Sequence, residues 1–351
     1  MDISLFDYTL PKSAIAQTPA TPRDHAKLMV VDRKSQNISH YHFSDLPKIL
    51  TPNDVLILNQ TKVFPARIFG TKLTGGKIEL LLLENISDNT WKAIYRGKIS
   101  FGQTLVFGKI RGEVIRIDQN LLEIKFLCDK DDLFSYLERS GHTPLPPYIK
   151  SDSPENSLRK QYQTVFATEV GSVAAPTAGF HLTKELLTQL KKIGVGIEFV
   201  TLHVGLGTFA PIKVRDLTKH QIHEEIYELD KRTADRLNRA KAAGKRIIAV
   251  GTTTTRVLET CADAKGALTA RKGRTKIFIY PPYKFKFLDA LITNFHLPKS
   301  TLLSLVSALF SYPNTTAEFT SFAKSFLGDV YQSAIENKYR FYSFGDGMLI
   351  I

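Results

Sequence analysis

The chain has 351 residues, 43% of them hydrophobic and 23% charged, and 47 Lys and Arg outnumber 34 Asp and Glu to give a net charge of +13. This composition excludes a disordered chain, and because no apolar run approaches the roughly 20 residues that cross a bilayer, we expect a soluble, cytoplasmic protein. The two distant cysteines, Cys128 and Cys261, argue against a disulfide framework and a thiolate zinc site. The excess of positive charge favours a polyanionic partner such as nucleic acid.

The first 65 residues predict the start of an α/β domain. FDYTLPKSAIAQTP predicts a helical entry interrupted by proline, ISHYHF a short strand, and residues 55–58 a buried strand. Four polar side chains follow that buried strand, at the end where open α/β sheets usually bind ligands. They are Asn59, Gln60, Thr61 and Lys62.

Residues 66–151 have a different pattern, with six short β-rich runs between turn signals such as Gly75-Gly76. Regularly spaced short strands are typical of a small sandwich or barrel. DLFSYLERSG then predicts a helix that ends at Gly141, and HTPLPPYIK a rigid return linker. We therefore predict a barrel-like all-β domain at 66–151, inserted into a larger mixed α/β domain made of 1–65 and 152–351. At the start of the insert, a hinge or an interdomain ion pair explains Arg67.

Strands and helices alternate in the remaining sequence, which predicts α/β architecture. SDSPENSLRKQYQ is polar and predicted to be mobile. Thr183 is expected to cap a helix that runs to Ile193 and buries an apolar face, and Ser300 to cap the helix STLLSLVSALF. IEFVTLHV and RIIAV predict strands, and KRTADRLNRAKAAG, TAEFTSFAKSFL and YQSAIENKY predict further helices.

The run VGLGTF directly follows a predicted strand. Gly205 and Gly207 allow backbone to approach a ligand closely, and Thr208 can donate a hydrogen bond. A dinucleotide fingerprint would need a third glycine and a following helix, which are missing. A tight turn without a ligand is the alternative interpretation.

The run GTTTTR lies between the strand RIIAV and the predicted helix RVLETCA. Free backbone N–H groups at this junction, which includes Gly251, Thr252 and Thr253, the four threonine hydroxyls and the Arg256 guanidinium predict a site for a carboxylate, phosphate or ribose. Simple helix capping by threonine is the alternative.

Three histidines are candidates for general acid and base chemistry, because imidazole titrates near neutral pH. They are His181, His203 and His223, the last in HQIHEE beside Glu225. The spacing in HQIHEE matches no recognised zinc motif, so no metal site is predicted. A hydrogen-bonded structural role is the alternative for each histidine, and for His296 in NFHLP. Arg23 is interpreted as half of a surface pair with Asp24.

Taken together, VAAPTAGFHLT, TLHVGLGTF, AVGTTTTRVLE, LITNFHLPKSTLLSLVSA and YRFYSFGDGMLI closely resemble the S-adenosylmethionine:tRNA ribosyltransferase-isomerase family of the queuosine pathway. Further motifs, from IAQTPATPRD to QYQTVFA, extend the resemblance over essentially the whole chain. A non-enzymatic RNA-binding or assembly protein, with a basic surface and an inserted barrel, is the alternative from a different functional class.

The resemblance implies transfer of the ribosyl part of S-adenosylmethionine onto 7-aminomethyl-7-deazaguanine at the tRNA wobble position, which gives epoxyqueuosine and releases adenine and methionine. In the family's proposed mechanism a base removes a proton from the 5′ carbon beside the sulfonium, adenine leaves, and the amine joins the 1′ carbon. The former ring oxygen finally displaces methionine to form the epoxide. Because the sulfonium supplies the activation, no metal or redox cofactor is expected; we also expect a monomer.

The resemblance identifies the motifs but not the role of each residue, so the roles that follow are our own hypotheses. His203 or His181 would be the base, and His223 or a neighbouring carboxylate such as Glu225 would protonate the departing adenine. GTTTTR would hold the methionine carboxylate with Arg256, and VGLGTF would line the ribose. The chain departs from the usual family motifs at six positions, with activity expected to persist: Ala26, Lys27, Phe180, Leu182, Ile222 and Pro282. We expect the exchange at Phe180 and Leu182 to repack the pocket wall, and Ala26 and Lys27 to weaken any role of the usual serine or arginine.

Overall fold

The computed structural model describes residues 1–87, 89–205, 212 and 214–351. Its strands are β1 (Lys27–Asp32), β2 (Asn37–His42), β3 (Asp54–Asn59), β4 (Thr61–Val63), β5 (Arg67–Lys72), β6 (Lys77–Ser87), β7 (Thr90–Arg96), β8 (Thr104–Phe107), β9 (Ile110–Asp118), β10 (Leu121–Phe126), β11 (Glu169–Ser172), β12 (Gly196–Leu202), β13 (Glu225–Leu229), β14 (Arg246–Val250), β15 (Arg271–Thr275), β16 (Ala290–Asn294) and β17 (Gly347–Ile350). Its α-helices are α1 (Leu46–Ile49), α2 (Lys130–Ser140), α3 (Glu155–Gln161), α4 (Lys184–Lys192), α5 (Lys231–Ala242), α6 (Thr252–Cys261), α7 (Thr301–Leu309) and α8 (Phe326–Glu336).

A nine-stranded mixed sheet has the strand order β15-β13-β12-β3-β14-β16-β17-β1-β2. The four strands β12, β3, β14 and β16 run parallel to one another, while β13 and β15 extend one edge of the sheet antiparallel. All six residues of β3 are buried, because this strand lies inside the sheet with both faces covered. The strand predicted at residues 55–58 is thereby confirmed.

The two faces of the sheet bury separate cores, since successive side chains of a strand point to opposite sides. Within β3, Ile57 packs in the cluster that contains Leu258 of α6, whereas Leu56 packs in the cluster that contains Leu190 of α4. Helices α6 and α4 therefore cover opposite faces. The predicted mixed α/β class is confirmed.

A closed antiparallel barrel forms from six strands in the order β10-β7-β6-β5-β8-β9. Ile68 and Leu80 are fully buried inside it, and Leu137 of α2 packs in the same cluster. Helix α2 ends at Gly141, where a side chain would not fit, because a Cβ there would lie 2.3 Å from the carbonyl oxygen of Pro65. The inserted small all-β unit is confirmed.

A short parallel ribbon connects the sheet to the barrel. In this ribbon β4 pairs with β11, Thr61 lying opposite Glu169 and Lys62 opposite Val170. Soon after β4 ends, β5 begins at Arg67, whose backbone pairs with His142 at the exit from the barrel. The Arg67 guanidinium lies 3.6 Å from Glu79 of β6, so this ion pair is internal to the barrel rather than interdomain.

Both predicted side-chain caps are confirmed. Thr183 Oγ1 accepts from Leu186 N at 3.1 Å, and Ser300 Oγ accepts from Leu303 N at 3.1 Å. Ile193, predicted on the buried face of α4, instead follows the helix and is 37% exposed. Among the helices of the described residues, none combines the length and apolarity that a membrane crossing requires.

The segment SDSPENSLRKQYQ contains α3, so the prediction of a mobile segment was wrong. Sequence distant from the helix explains the difference. Arg23 donates to the carbonyl oxygens of Lys160 at 2.6 Å, Gln161 at 3.0 Å and Gln163 at 2.6 Å, which satisfies groups that the end of a helix leaves unpaired. Arg23 is therefore a helix-end contact, and the surface pair predicted with Asp24 was also wrong.

Two predicted terminal helices differ from the structure. FDYTLPKSAIAQTP, residues 6–19, contains a 3-10 turn at Lys12–Ala14 in place of the predicted helix, and another 3-10 turn, Ile3–Phe6, ends at its first residue. TAEFTSFAKSFL contains a 3-10 turn at Phe322–Lys324, and α8 starts only where the Ser325 hydroxyl accepts from Gly328 N at 3.2 Å. Most of YQSAIENKY lies in the same α8, so one helix stands where two were predicted.

Candidate active site

Asn59, the last residue of β3, joins three elements at the carboxyl end of the sheet. Its Nδ2 donates to Leu202 O at 3.0 Å and to Thr253 Oγ1 at 3.2 Å, while Oδ1 accepts from Thr61 N and Leu202 N, each at 3.1 Å. These four bonds use the hydrogen-bonding capacity of the buried amide. Asn59 therefore fixes the ends of β3, β12 and α6 rather than facing a ligand.

His203 follows β12 and is held by the ribbon. Its Nδ1 lies 2.8 Å from Thr61 Oγ1, and that hydroxyl lies 3.5 Å from Glu169 O. Because the carbonyl can only accept, the hydroxyl proton points to it and the hydroxyl oxygen accepts from Nδ1–H. This tautomer leaves Nε2 as a free acceptor, with no hydrogen-bond partner among the described residues.

A glycine makes room for this ring. A Cβ at Gly171 would lie 2.8 Å from Cε1 and 2.9 Å from Nδ1 of His203, so any other residue would displace the imidazole. Burial is the main reason why the pKa of His203 lies below its ordinary value, and Glu169 opposes that effect. The half-buried ring is therefore neutral at neutral pH and can accept a proton.

His181 has a different environment. Its ring is 4% exposed and stacks on Phe43 with centroids 4.1 Å apart, and Asn294 Nδ2 donates to its Nε2 at 3.3 Å. Burial, with a further contribution from the Arg340 charge, lowers the pKa of His181 to about 3. In the described part of the chain, His181 and His203 share no hydrogen-bond or ring partner, so the two candidate bases lie in separate surroundings.

Glu225 and Arg256 form a buried ion pair between β13 and α6. Glu225 Oε2 accepts from Arg256 Nη1, and Oε1 accepts from Gly205 N at 3.1 Å. Arg256 Nε donates to Ile277 O at 3.3 Å, while its buried Nη2 has no partner within the described part of the chain. Glu225 thus fixes both the guanidinium and the start of the VGLGTF run.

Arg256, whose Nη2 is unpartnered, lines a small cavity of about 20 Å³. This volume has room for about one water molecule. His223, itself exposed, lies on the same cavity, together with Ile279 and Thr301. Three predicted site residues, His223, Glu225 and Arg256, are therefore brought together.

The helix predicted at RVLETCA starts earlier than expected and takes in most of GTTTTR, because α6 begins at Thr252 directly after Gly251. Gly251 has φ +91, a conformation that favours glycine, and no side chain caps the helix. Thr254 and Thr255 are fully buried and donate to carbonyls of the preceding turn. Thr252 and Thr253 remain at the first turn, where the helix N–H groups are free.

The predicted glycine-rich run is only partly described. At Gly205 a Cβ would meet none of the described residues within 4 Å, so they leave space beside this backbone. Gly207 and Thr208 lie outside the described residues. The two motifs predicted as pocket walls do touch, because Ala174 and Val204 form a bridge.

Comparison with known proteins gives the family. The sequence profile of the queuosine biosynthesis protein family matches residues 3–350. The chain belongs to this family. S-adenosylmethionine:tRNA ribosyltransferase-isomerases from Staphylococcus aureus strains JH9, MW2 and Newman are each 47% identical over 358 aligned residues, covering 100% of both chains. A solved structure of S-adenosylmethionine tRNA ribosyltransferase from Thermotoga maritima is 36% identical, with a TM-score of 0.55, and covers 99% of this chain and 100% of its own.

Two departures from the usual queuosine-family motifs are core positions. Phe180 packs against Tyr162 and Phe344, with the Arg23 guanidinium 5.4 Å from its ring centroid, and Leu182 is fully buried.

Sequence reasoning missed Gly171 and the partners of the predicted residues. The ring that needs Gly171 comes from a distant segment, so EVGS by itself gives no signal. Among the described residues, no group of three or more His, Cys, Asp and Glu side chains is arranged to hold a metal ion.

Proposed function

We propose that this protein transfers and isomerises the ribosyl moiety of S-adenosylmethionine onto 7-aminomethyl-7-deazaguanine at the tRNA wobble position. The products are epoxyqueuosine-tRNA, adenine and methionine. The supporting observation is the 47% identity, over the full length of both chains, to proteins named S-adenosylmethionine:tRNA ribosyltransferase-isomerase. S-adenosylmethionine is a substrate here, and the proposal includes no metal or redox cofactor.

His203 is the base that we propose for proton removal from the 5′ carbon. Its support is a neutral imidazole, a tautomer fixed by Thr61, and a free Nε2. A fixed and unprotonated nitrogen is what general-base chemistry needs. His181 is the weaker candidate because its ring is enclosed, so we propose that it supports the pocket wall through Phe43 and Asn294.

His223 is proposed as the proton donor for departing adenine, since it is exposed and lines the cavity beside Arg256. Glu225 already accepts from Arg256 and from Gly205 N, so its proposed role is to position these two groups. An unpartnered buried guanidinium nitrogen is costly unless something binds it. We propose that Arg256 Nη2 binds the methionine carboxylate.

The first turn of α6 and the glycine-rich run complete the proposed substrate site. Thr252 and Thr253 offer backbone N–H groups at a helix N-terminus, which attracts carboxylates. Gly251 N already donates to Ile292 O at 2.7 Å, so Gly251 is proposed only to line the site. Gly205, which has space beside its backbone, would line the ribose together with Gly207 and Thr208.

The domain division is also part of the proposal: residues 66–151 as the barrel domain, and 1–65 with 152–351 as the catalytic domain. The barrel strands between Arg67 and Phe126 support the first assignment. A cytoplasmic location is proposed, because tRNA, the substrate named for the relatives, is a cytoplasmic molecule. A monomer is proposed as the working form.

Adenine release tests the proposal. The protein is incubated with S-adenosylmethionine and tRNA that carries the aminomethyl base, and adenine is quantified by chromatography. We expect tRNA-dependent adenine from the wild type and at least about a hundredfold less from His203→Gln, the range typical of a lost general base. Adenine no greater than in a no-tRNA control would overturn the transferase assignment, and an unchanged rate in His203→Gln would remove that residue from the mechanism.

A further inference from the structure

A second recess, distinct from the cavity beside Arg256, lies between the sheet and the barrel. We call it the junction groove. It has a volume of about 350 Å³. Its walls come from β4 and the following chain, from the end of α2, and from α3 with the residues after it, and the lining residues that matter here are Arg23, Lys62, Glu138, Arg159, Lys160 and Thr164.

The lining of the junction groove is strongly positive, with four cationic side chains and one carboxylate. The charge of Arg159 is compensated by ion pairs with Glu138 at 3.3 Å and Glu155 at 3.1 Å. Lys62 and Lys160 are exposed and make no ion pair within the described residues. The exposed ammonium groups of these two lysines are therefore available to bind an anion.

Arg23 adds charge that no carboxylate neutralises in the described part of the chain. Its guanidinium donates to three carbonyl oxygens at the end of α3. These hydrogen bonds fix the position of the positive charge in the groove wall. Carbonyl dipoles hold this charge in place without cancelling it. The field of this fixed cation adds to that of the two lysines.

A neutral group in the groove also lacks a partner. Thr164 is 4% exposed, and its hydroxyl has no hydrogen-bond partner among the residues that the structure describes. A buried hydroxyl without a partner costs free energy unless a ligand or water binds it. Because the oxygen itself has almost no exposed surface, a phosphate oxygen or a ribose hydroxyl would satisfy it after a small shift of the groove wall.

We propose that the junction groove binds the sugar-phosphate backbone of the tRNA substrate. Lys62 directly follows Thr61, whose hydroxyl holds His203, so a strand in the groove passes the ribbon that carries the proposed base. Lys62 and Lys160 are separate cations, and the successive phosphates of an RNA strand can contact both of them. One small anion is less suited to such a pair. The inference rests on the proposed function for the identity of the RNA.

The test compares two double variants of the full chain. Lys62→Ala/Lys160→Ala removes the free cations of the groove, and Lys191→Ala/Lys192→Ala removes two exposed lysines at the end of α4 as a matched charge control. The dissociation constant for tRNA is measured by filter binding from 50 to 200 mM salt, with melting temperatures to verify folding. Adenine release is measured at saturating tRNA.

For the groove variant we expect weaker tRNA binding and a log–log salt slope reduced by about 1.5 to 2, roughly one phosphate contact for each lysine. The control variant should keep the wild-type slope. An unchanged slope in the groove variant, or an equal reduction in both variants, would overturn the inference. A wild type that binds tRNA through the groove but releases no adenine would instead overturn the proposed function alone.

Discussion

Thr61 Oγ1 lies 2.8 Å from Nδ1 of His203, and this hydrogen bond links the ribbon to the end of β12. The same hydroxyl lies 3.5 Å from Glu169 O, which settles the direction of both bonds. A threonine therefore determines which ring nitrogen of His203 carries the proton. The proposed base is prepared by its neighbours before substrate binds.

Thr61→Val keeps the shape of the side chain and removes this hydrogen bond. We expect kcat to fall about tenfold, equivalent to the roughly 1 to 1.5 kcal/mol of one hydrogen bond, while the KM for S-adenosylmethionine stays near wild type. Thr188→Val, which removes an exposed hydroxyl bonded to Lys184 O, serves as control and should leave kcat unchanged. Equal kcat values for Thr61→Val and wild type in steady-state assays would contradict this role.

Gly171→Ala places a Cβ within 2.8 Å of the His203 ring. We expect the ring to be displaced and adenine release to fall at least about tenfold, since small misplacements of reacting groups are costly. Gly244→Ala is the matched control, because Gly244 has φ +72 and nothing within 4 Å of an added Cβ. It should lower stability by about 1 kcal/mol through backbone strain and leave kcat intact. A fully active Gly171→Ala would show that the ring position is not required.

The buried pair Glu225 and Arg256 makes a prediction about stability. Glu225→Gln leaves a buried guanidinium without its carboxylate, and we expect a loss of about 3 to 5 kcal/mol in the free energy of unfolding. Adding Arg256→Met should recover a large part of that loss, because the unpaired charge is removed. Urea unfolding of both single variants and the double variant measures the coupling.

An exposed pair provides the comparison. Lys231 and Asp235 lie 2.8 Å apart on α5 with both side chains largely in solvent, so Asp235→Asn should change stability by less than about 0.5 kcal/mol. Similar losses for Glu225→Gln and Asp235→Asn would show that burial does not strengthen the inner pair.

Two buried histidines predict that the fold weakens in acid. Burial lowers the pKa of His181 and of His296 to about 3. In the unfolded chain both histidines have the ordinary pKa of about 6.5, so between pH 6.5 and 3 the unfolded chain binds more protons than the folded one. The free energy of unfolding is therefore highest above about pH 6.5 and falls as the pH drops toward 3. Between pH 7 and 5.5 each histidine should cost about 1 kcal/mol.

His296→Gln tests this pH dependence without touching the proposed base. The glutamine can replace the hydrogen bond that Thr293 Oγ1 makes with Nε2 at 2.9 Å. We expect about half of the drop in unfolding free energy between pH 7 and 5.5 to disappear, measured by urea titration at both values. An undiminished drop would assign the acid sensitivity to other groups.

Local patterns were sufficient for much of the fold. The barrel strands alternate inward and outward residues, as 110–118 do, and Thr183 caps α4 through atoms three residues away. Such signals are contained within one segment, so sequence alone can supply them. The helix α3 was missed because Arg23, which satisfies its last carbonyls, is more than 130 residues earlier.

The site was less accessible to sequence reasoning for the same physical reason. His181 and His203 look equivalent in sequence, and only Phe43, Asn294 and Thr61, which arrive from elsewhere in the chain, enclose one ring and orient the other. The four threonines of GTTTTR were placed before the helix instead of in its first turn, because hydroxyls that bond back to the carbonyls of Val250 and Gly251 leave no mark in the sequence.

The central claim is ribosyl transfer to tRNA at the site that contains His203, and its most direct test is mass analysis of the modified nucleoside. Undermodified tRNA with the aminomethyl base is incubated with S-adenosylmethionine and either wild type or His203→Gln, digested to nucleosides and separated. The account predicts epoxyqueuosine from the wild type in amounts equal to the adenine released, and little from the variant. Aminomethyl nucleoside that stays unmodified with folded wild-type protein would contradict it.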